Sequence, residues 1–487
     1  MSTQLFSENL GQRIAIAGLL IYVAFAPHSV AASAIGIAIA GIGWVLRSVQ
    51  TRSLGLSRSK FDLIIVLMLV WTGLSSLLSE EPAISIAKLT SLWSVFIFYL
   101  TRAVITRRSA LFLVGVLILS GCVGTLYSAF DLIRGRGVVV ESIAPRSPFQ
   151  RVEILPGDTI WRIGSRRVYS LADVDEVLRS TAVNTPLTIS IISQGEHVER
   201  PGLILSSAEQ QSASPSGLTG SFRNHRFRAS GWTRHYVTFA EILQIIAQLA
   251  LGLALAHLRN HGPNKYFRIT LVATALLALG LAFTAMRTVI VAFAIGACVV
   301  AWRSLHGKHK LVFVFALFFL IAFGAVVVSQ TRARNALALG DPSSMLRFQV
   351  ARVGLSRIPL HPVFGHGMDA MKRHWNEWGF PGKDQLHLHS TPLQLAFDRG
   401  LPVLVLWLWL MALFWTEIAG GEKRAADLSD THVYGILLGG LGGLTGFLAS
   451  SLVNYNYGDG EAAMLFWWLM GLCVFFTSRD PLVKSGP

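Results

Sequence analysis

Apolar and polar positions along the chain alternate on the scale of a bilayer rather than of a single helix face. Runs of about 17 to 25 apolar residues can cross a membrane. About twelve such runs start near residues 11, 30, 61, 83, 109, 235, 267, 287, 310, 400, 432 and 461. The first two, and the pair at 267 and 287, are separated by tight turns. Two stretches break the rhythm, at 131–234 and 330–400, and both are long and polar.

The first of these changes period. "GVVVESIAPRSPF", "ILPGDTIWRIGSRRV", "SLADVDEVLRS" and "PLTISIISQGEHVERPGLIL" read as strand, strand, helix, strand and strand. Short β-branched runs are broken by Pro and Gly turns, and Ser170 is placed to cap the helix with Asp173 in its first turn. "SSAEQQSASPSG" reads as a polar, Ser-rich linker.

Composition agrees with a membrane protein: 52% of the 487 residues are hydrophobic and 14% charged, where a soluble domain carries about a quarter charged. The net charge of +15 does not indicate nucleic acid, because the basic residues fall in short clusters between apolar runs. "RSVQTRSLGLSRSK", "TRAVITRR", "RNHGPNKYFR", "WRSLHGKHK" and "GEKR" alternate with "SEEP" and "NYNYGDGE". Positive loops stay cytoplasmic, which puts both termini inside and 131–234, Arg287 and 330–400 outside. The three cysteines, Cys122, Cys298 and Cys473, lie in separate apolar runs and have no disulfide or zinc spacing.

Candidate chemistry therefore gathers on one face. Arg287 stands at the boundary of two apolar runs, where it is either functional or snorkels to the headgroups. His387 and His389 precede the run "LPVLVLWLWLMALFW". A metal is not expected there, since Asp384 is the one acidic neighbour and no ligand cluster accompanies the pair. His361 and His366 read as turn residues.

Four motifs resemble the O-antigen ligase/polymerase family. In "HSTPLQLAFDRG", His389 and Ser390 are followed by nine residues and Gly400. "HPVFGHGM" resembles the family's Pro-x-x-Gly-x-Gly turn at Pro362, Gly365 and Gly367, "FTAMRT" its outer turn ending in Arg287, and "RASG" its Arg-x-x-Gly element at Arg228 to Gly231. The Gly after Gly400 that usually completes that element is absent, since Pro402 and Val403 follow. Separately, "LPGDTIWRIGSRRV" resembles a PDZ domain signature, with "FQRVEI" in place of the usual Ala-Gly turn and only "RGRG" ahead of the first strand. Peptide binding, by strand addition, and a plain docking or spacer role weigh equally for that domain.

The resemblance implies an all-α polytopic membrane protein of about twelve transmembrane helices with a small inserted PDZ-like α+β domain. Helices one to five would occupy 1–131, the PDZ-like domain 137–205, a linker and pre-helix segment 206–234, helices six to nine 235–329, a periplasmic catalytic loop 330–400, and helices ten to twelve 401–478. It implies an inner-membrane glycosyltransferase that moves a glycan from a polyprenyl-diphosphate carrier to an acceptor hydroxyl on a lipid or glycan, without cofactor or metal. His389 would be the catalytic base, an imidazole titrating near neutrality. Arg228, Arg287, Arg347 and Arg352 would hold the diphosphate, guanidinium forks being suited to phosphate oxygens. His387 is expected to point away from His389 and to support it, along with Ser390 and Gly400.

The competing reading is a polytopic transporter or flippase of polysaccharide with a docking domain. It is disfavoured by the lack of paired broken helices and of a buried acidic residue of the sort that couples ions. An intramembrane protease ranks lower, as no HExxH and no Gly-x-Ser-x-Gly within a span occurs.

Overall fold

A computed structural model describes residues 9–193, 196–225, 227–233, 235–307, 310–313, 315, 322, 342–382 and 387–478. The chain divides into two compact units, residues 1–126 with 230–487, and residues 127–229.

The first helices are α1 (Leu10–Phe25), α2 (Val30–Thr51), α3 (Lys60–Leu78), α4 (Pro82–Lys88), α5 (Phe96–Val104) and α6 (Arg107–Arg134). α1 and α2 form a close hairpin because glycines face each other. A Cβ on Gly18 would lie 2.3 Å from Ala40 N, and one on Gly43 2.2 Å from Ala15 N. Small residues let helix backbones meet where lipid offers no hydrophobic drive. The run expected from residue 83 is not one uniform helix: Leu89–Val95 is 3-10, between α4 and α5.

Residues 127–229 form a six-stranded antiparallel sheet with two helices. Its strands are β1 (Val138–Ile143), β2 (Thr159–Ile163), β3 (Arg166–Arg167), β4 (Leu187–Ser193), β5 (Glu196–Leu203) and β6 (Leu218–Arg223), and its helices α7 (Leu171–Ser180) and α8 (Ser207–Gln210). The order is β5-β4-β2-β1-β6, with β3 on β2. Val140, Ile160, Ile189, Ile191 and Leu178 fill the core. Ser170 and Asp173 make the expected cap, each side chain meeting the other's backbone. In the Gly157–Asp158 turn, Leu155 N donates to Asp158 Oδ2 at 2.9 Å, which aims β2 into the sheet.

Two sequence readings need correction here. The segment 206–234, expected as a linker and pre-helix segment, supplies α8 and β6, and β6 pairs with β1; its sequence "LTGSFR", just past the Ser-rich run, shows no apolar alternation. The altered turn "FQRVEI" keeps its shape: Phe149 is fully buried, and Glu153 takes the left-handed conformation (φ 53°) that glycine usually supplies.

The remaining helices are α9 (Tyr236–His261), α10 (Lys265–Thr284), α11 (Arg287–Ser304), α12 (Pro342–Arg357), α13 (Ala370–His374), α14 (Thr391–Arg399), α15 (Leu401–Asp427), α16 (Thr431–Ser451) and α17 (Gly460–Thr477). α9 is enclosed by α10, α11, α16 and α17, and its apolar stretch is wholly buried. Gly252 meets Gly435 and Gly439 of α16 backbone to backbone.

Among the described residues, ten helices are long and apolar enough to cross a membrane. Of the twelve runs expected, α1 falls short at 16 residues, about 24 Å at the α-helical rise against about 30 Å of hydrocarbon. The run expected from residue 310 lies almost wholly outside the described residues.

Candidate functional site

One end of the helical unit gathers the end of α3, the starts of α9, α11, α14, α15 and α17, and the end of α16. Asn454, just past α16, joins several of them. Its side-chain nitrogen donates to Thr288 Oγ1 at 3.1 Å and to Glu241 Oε1 at 3.2 Å. Its carbonyl accepts from the N–H and from the hydroxyl of Thr391, each at 3.2 Å. Thr238 donates to Asp459, the cap of α17.

The segment between α11 and α15 carries an apolar core of its own. Val350, Met371, Trp375, Trp378, Leu388 and Phe397 make up most of it. The Pro-x-x-Gly-x-Gly turn docks backbone to backbone on the end of α14. His366 N donates to Phe397 O at 2.8 Å, Gly367 N to Asp398 O at 3.0 Å and Leu401 N to Pro362 O at 2.8 Å. Cβ atoms have no room here: one on Gly400 would lie 2.0 Å from Val363 O, and one on Gly365 2.5 Å from Arg399 N. Both glycines have positive φ. The same turn lies on α3, where Trp71 stacks on Phe364 at 5.6 Å and Ser75 donates to the Phe364 carbonyl.

These contacts hold the loop that carries the two histidines. Leu388, between them, is fully buried, and its N–H donates to Gln394 Oε1 at 2.7 Å. Gln394 in turn donates to Asp398 at 2.8 Å. His389 itself sits in the left-handed region at φ 56°, a strained conformation that persists where the surroundings over-determine it. Ser390 is buried at the N-cap of α14 but makes no side-chain cap bond.

The rings of His387 and His389 are 4.4 Å apart. His387 therefore does not point away from His389, which corrects the expectation from the sequence. Burial pushes the His387 imidazole down to about 4, helped by Arg347 and Lys372 against Asp369. Burial, His387 and Arg347 push His389 down to about 3. Arg347 of α12 thus acts on both rings. Arg352 is exposed, and five residues on it lies about 140° round the helix from Arg347.

Arg287 is the first residue of α11, half-buried, at the positive end of that helix dipole. Thr288, next to it, is the residue that Asn454 ties toward Thr391. Arg228 is half-buried and belongs to the other compact unit.

Several groups at this end have no signature in the sequence. Asp398 is buried and its carboxyl is pushed up to about 7 by desolvation, against the pull of Arg399 and Gln394. Arg399 is also buried, and its Nε finds no partner among the described residues. Glu241 is fully buried, which corrects the expectation that no acidic group would be; Ser450 and Asn454 hold its Oε1. Asp398 and Arg399 are adjacent in the chain, whereas only the fold brings Glu241 to Ser450 and Asn454.

Residues 272–408 match the O-antigen ligase family, and residues 121–199 match the PDZ domain. The first match contains Arg287, Arg347, Arg352, His387, His389, Ser390 and Gly400 and excludes Arg228. Both resemblances drawn from the sequence are thereby borne out. No curated protein matches the chain.

Proposed function

We propose that this multi-pass membrane protein transfers a glycan from a polyprenyl diphosphate to an acceptor hydroxyl at the outer face, as an O-antigen ligase or a polysaccharide polymerase. The observation that carries the reading is the His387–His389 ring pair, 4.4 Å apart, on a loop held by the docked glycine turns at Gly365, Gly367 and Gly400.

In this reading His389 takes the proton of the acceptor hydroxyl while that oxygen attacks the anomeric carbon. The bond from that carbon to the diphosphate breaks, and its electron pair leaves on the diphosphate oxygen. General-base catalysis of this kind is worth about a hundred- to ten-thousand-fold. Arg347 and Arg287, with the N-terminus of α11, receive the developing negative charge, and such preorganised groups lower a barrier by several kcal/mol. Burial, His387 and Arg347 keep the His389 imidazole neutral, and a bound diphosphate would raise its proton affinity. No residue here is assigned to a cofactor. The PDZ domain would recruit a periplasmic protein or act as a spacer. β6 occupies one side of β1, so a peptide strand would add at the outer edge of β6 or β5.

The test is deletion in the source organism, with complementation by wild type, His389→Ala and Arg347→Ala. Surface polysaccharide and lipid-linked intermediates are the readout. His389→Ala at wild-type protein level is expected to restore no transfer; normal transfer by it removes His389 from the mechanism. Long polymer stranded on the carrier marks a ligase, and accumulated single repeat units a polymerase.

A further inference from the structure

The turn between α3 and α4 reaches the outer segment with two adjacent carboxylates. Glu81 meets Arg373 and His374, at 3.0 and 2.9 Å. Glu80 does something different. Its Oε1 lies 2.7 Å from His361 Nε2 and 3.0 Å from His366 Nδ1, so two ring nitrogens converge on one carboxylate oxygen.

The protons on His366 make this arrangement informative. Its Nε2 lies 3.1 Å from the Arg357 carbonyl, and a carbonyl oxygen can only accept. Nε2 therefore carries a hydrogen, and in the neutral ring Nδ1 is left as a lone pair. That lone pair faces a carboxylate oxygen, and two acceptors at 3.0 Å repel unless a second proton or a metal ion bridges them. The ring cannot turn to escape. It is 1% exposed, stacked on Phe397 at 4.6 Å and packed on Trp378 at 5.0 Å.

A ring that donates one N–H to a backbone carbonyl and offers the other nitrogen outward is the usual state of a metal-ligating histidine. We propose that Glu80, His361 and His366 bind a divalent transition-metal ion, with zinc as the best match to two imidazoles and a carboxylate. One ligand atom from each of the three residues lies within 4.8 Å of the others. Donors around a tetrahedral zinc stand about 3.3 Å apart, so the ion widens the two contacts of Glu80, at 2.7 and 3.0 Å, by about half an ångström. Glu80 and His361 are exposed and can yield that much. Their exposed side leaves the fourth position to water.

The ion would be a clip. It joins the α3–α4 turn to a turn some 280 residues away in the chain, beside backbone bonds from His366 and Gly367 to α14. The family motif contributes the glycines of that turn; the ligands are its intervening and flanking residues. No step of glycan transfer runs through this ion, so its presence and the proposed transfer stand or fall separately.

The test uses the full-length chain in detergent, stripped with chelator and titrated with Zn²⁺ alone and with Co²⁺ alone. Calorimetry and elemental analysis are expected to give one ion per chain. Zn²⁺ should raise the melting temperature, and Co²⁺ should give the visible absorption of a four-coordinate site. Glu80→Gln, which keeps shape, and His361→Ala, at an exposed position, should each weaken binding at least about a hundred-fold, beyond the loss typical of a supporting residue. Both should elute as the wild type does. His387→Ala/His389→Ala should bind as wild type. The proposal is overturned if the wild type binds no more tightly than His361→Ala, or if binding is lost in the His387/His389 variant and kept in Glu80→Gln. An unchanged melting temperature with Zn²⁺ would also overturn it, and would leave an imidazolium–carboxylate cluster in its place.

Discussion

The carbonyl of Asn454 accepts two hydrogen bonds from Thr391, one from the backbone N–H and one from the hydroxyl, both at 3.2 Å. Thr391 opens α14 two residues after His389, and the Asn454 side chain reaches Thr288 beside Arg287. A single residue at the end of α16 thus links the histidine loop to the start of α11.

Asn454→Ala removes the side-chain half of that link and a donor to buried Glu241. Leaving a buried group short of a partner costs about 1–3 kcal/mol. The melting temperature should fall, and donor affinity should fall with it if Arg287 holds the diphosphate. Thermal denaturation with and without Zn²⁺-free donor lipid checks both effects; an unchanged melt would show that the link bears no load.

Gln394 is a positioning residue by its geometry, accepting from Leu388 N and donating to Asp398. Gln394→Ala is expected to speed amide hydrogen exchange at 387–390 and to lower transfer by about a hundred-fold, the loss that a misplacement near 1 Å can produce. A purely structural role would lower the melting temperature without changing exchange in that loop selectively.

Gly400→Ala tests the docking of the two glycine turns. The new Cβ would meet Val363 O at 2.0 Å, with φ at 83°, so the loss should exceed the ~1 kcal/mol typical of glycine effects alone. Gly379→Ala is the control: φ is 76°, but nothing lies within 4 Å of the Cβ. Urea melts should separate the two, with Gly400→Ala the more damaging.

The pH dependence follows from the depressed imidazoles. A folded-state His held at about 3 binds fewer protons than the unfolded chain between about 6.5 and that value. Stability is therefore complete above the ordinary histidine range and is lost as pH falls toward 3. For activity, the acid limb of kcat/KM, which reports the free enzyme, should lie well below pH 6. Arg347→Gln removes a cation that opposes protonation, so that limb should move upward. A limb at the ordinary imidazole position in the wild type, unmoved by Arg347→Gln, would detach the profile from His389.

Much of this molecule is legible in the order of its residues. Apolar runs of bilayer length appear as helices because no water is available in lipid to satisfy an open backbone. The Gly157–Asp158 turn and the Ser170–Asp173 cap follow from local chemistry, as do the positive-φ glycines at 365, 367 and 400. His389, Ser390, Gly400 and Arg287 stand out in the sequence because the motifs contain them.

What the sequence left open was decided by contacts between distant segments. That Arg347 of α12 acts on the two rings, and that Asn454 ties Thr391 to Thr288, depend on neighbours dozens to hundreds of residues away. β6, just past a Ser-rich stretch, could not be seen because its partner, β1, and not its own alternation, makes it a strand. Glu80, in a short acidic loop, meets His361 and His366 only after α3 and the outer turn have packed. Local propensity acts over a few residues, whereas a hydrogen-bonded or ligand-binding site needs atoms placed within about 3 Å, and only the folded core supplies that placement.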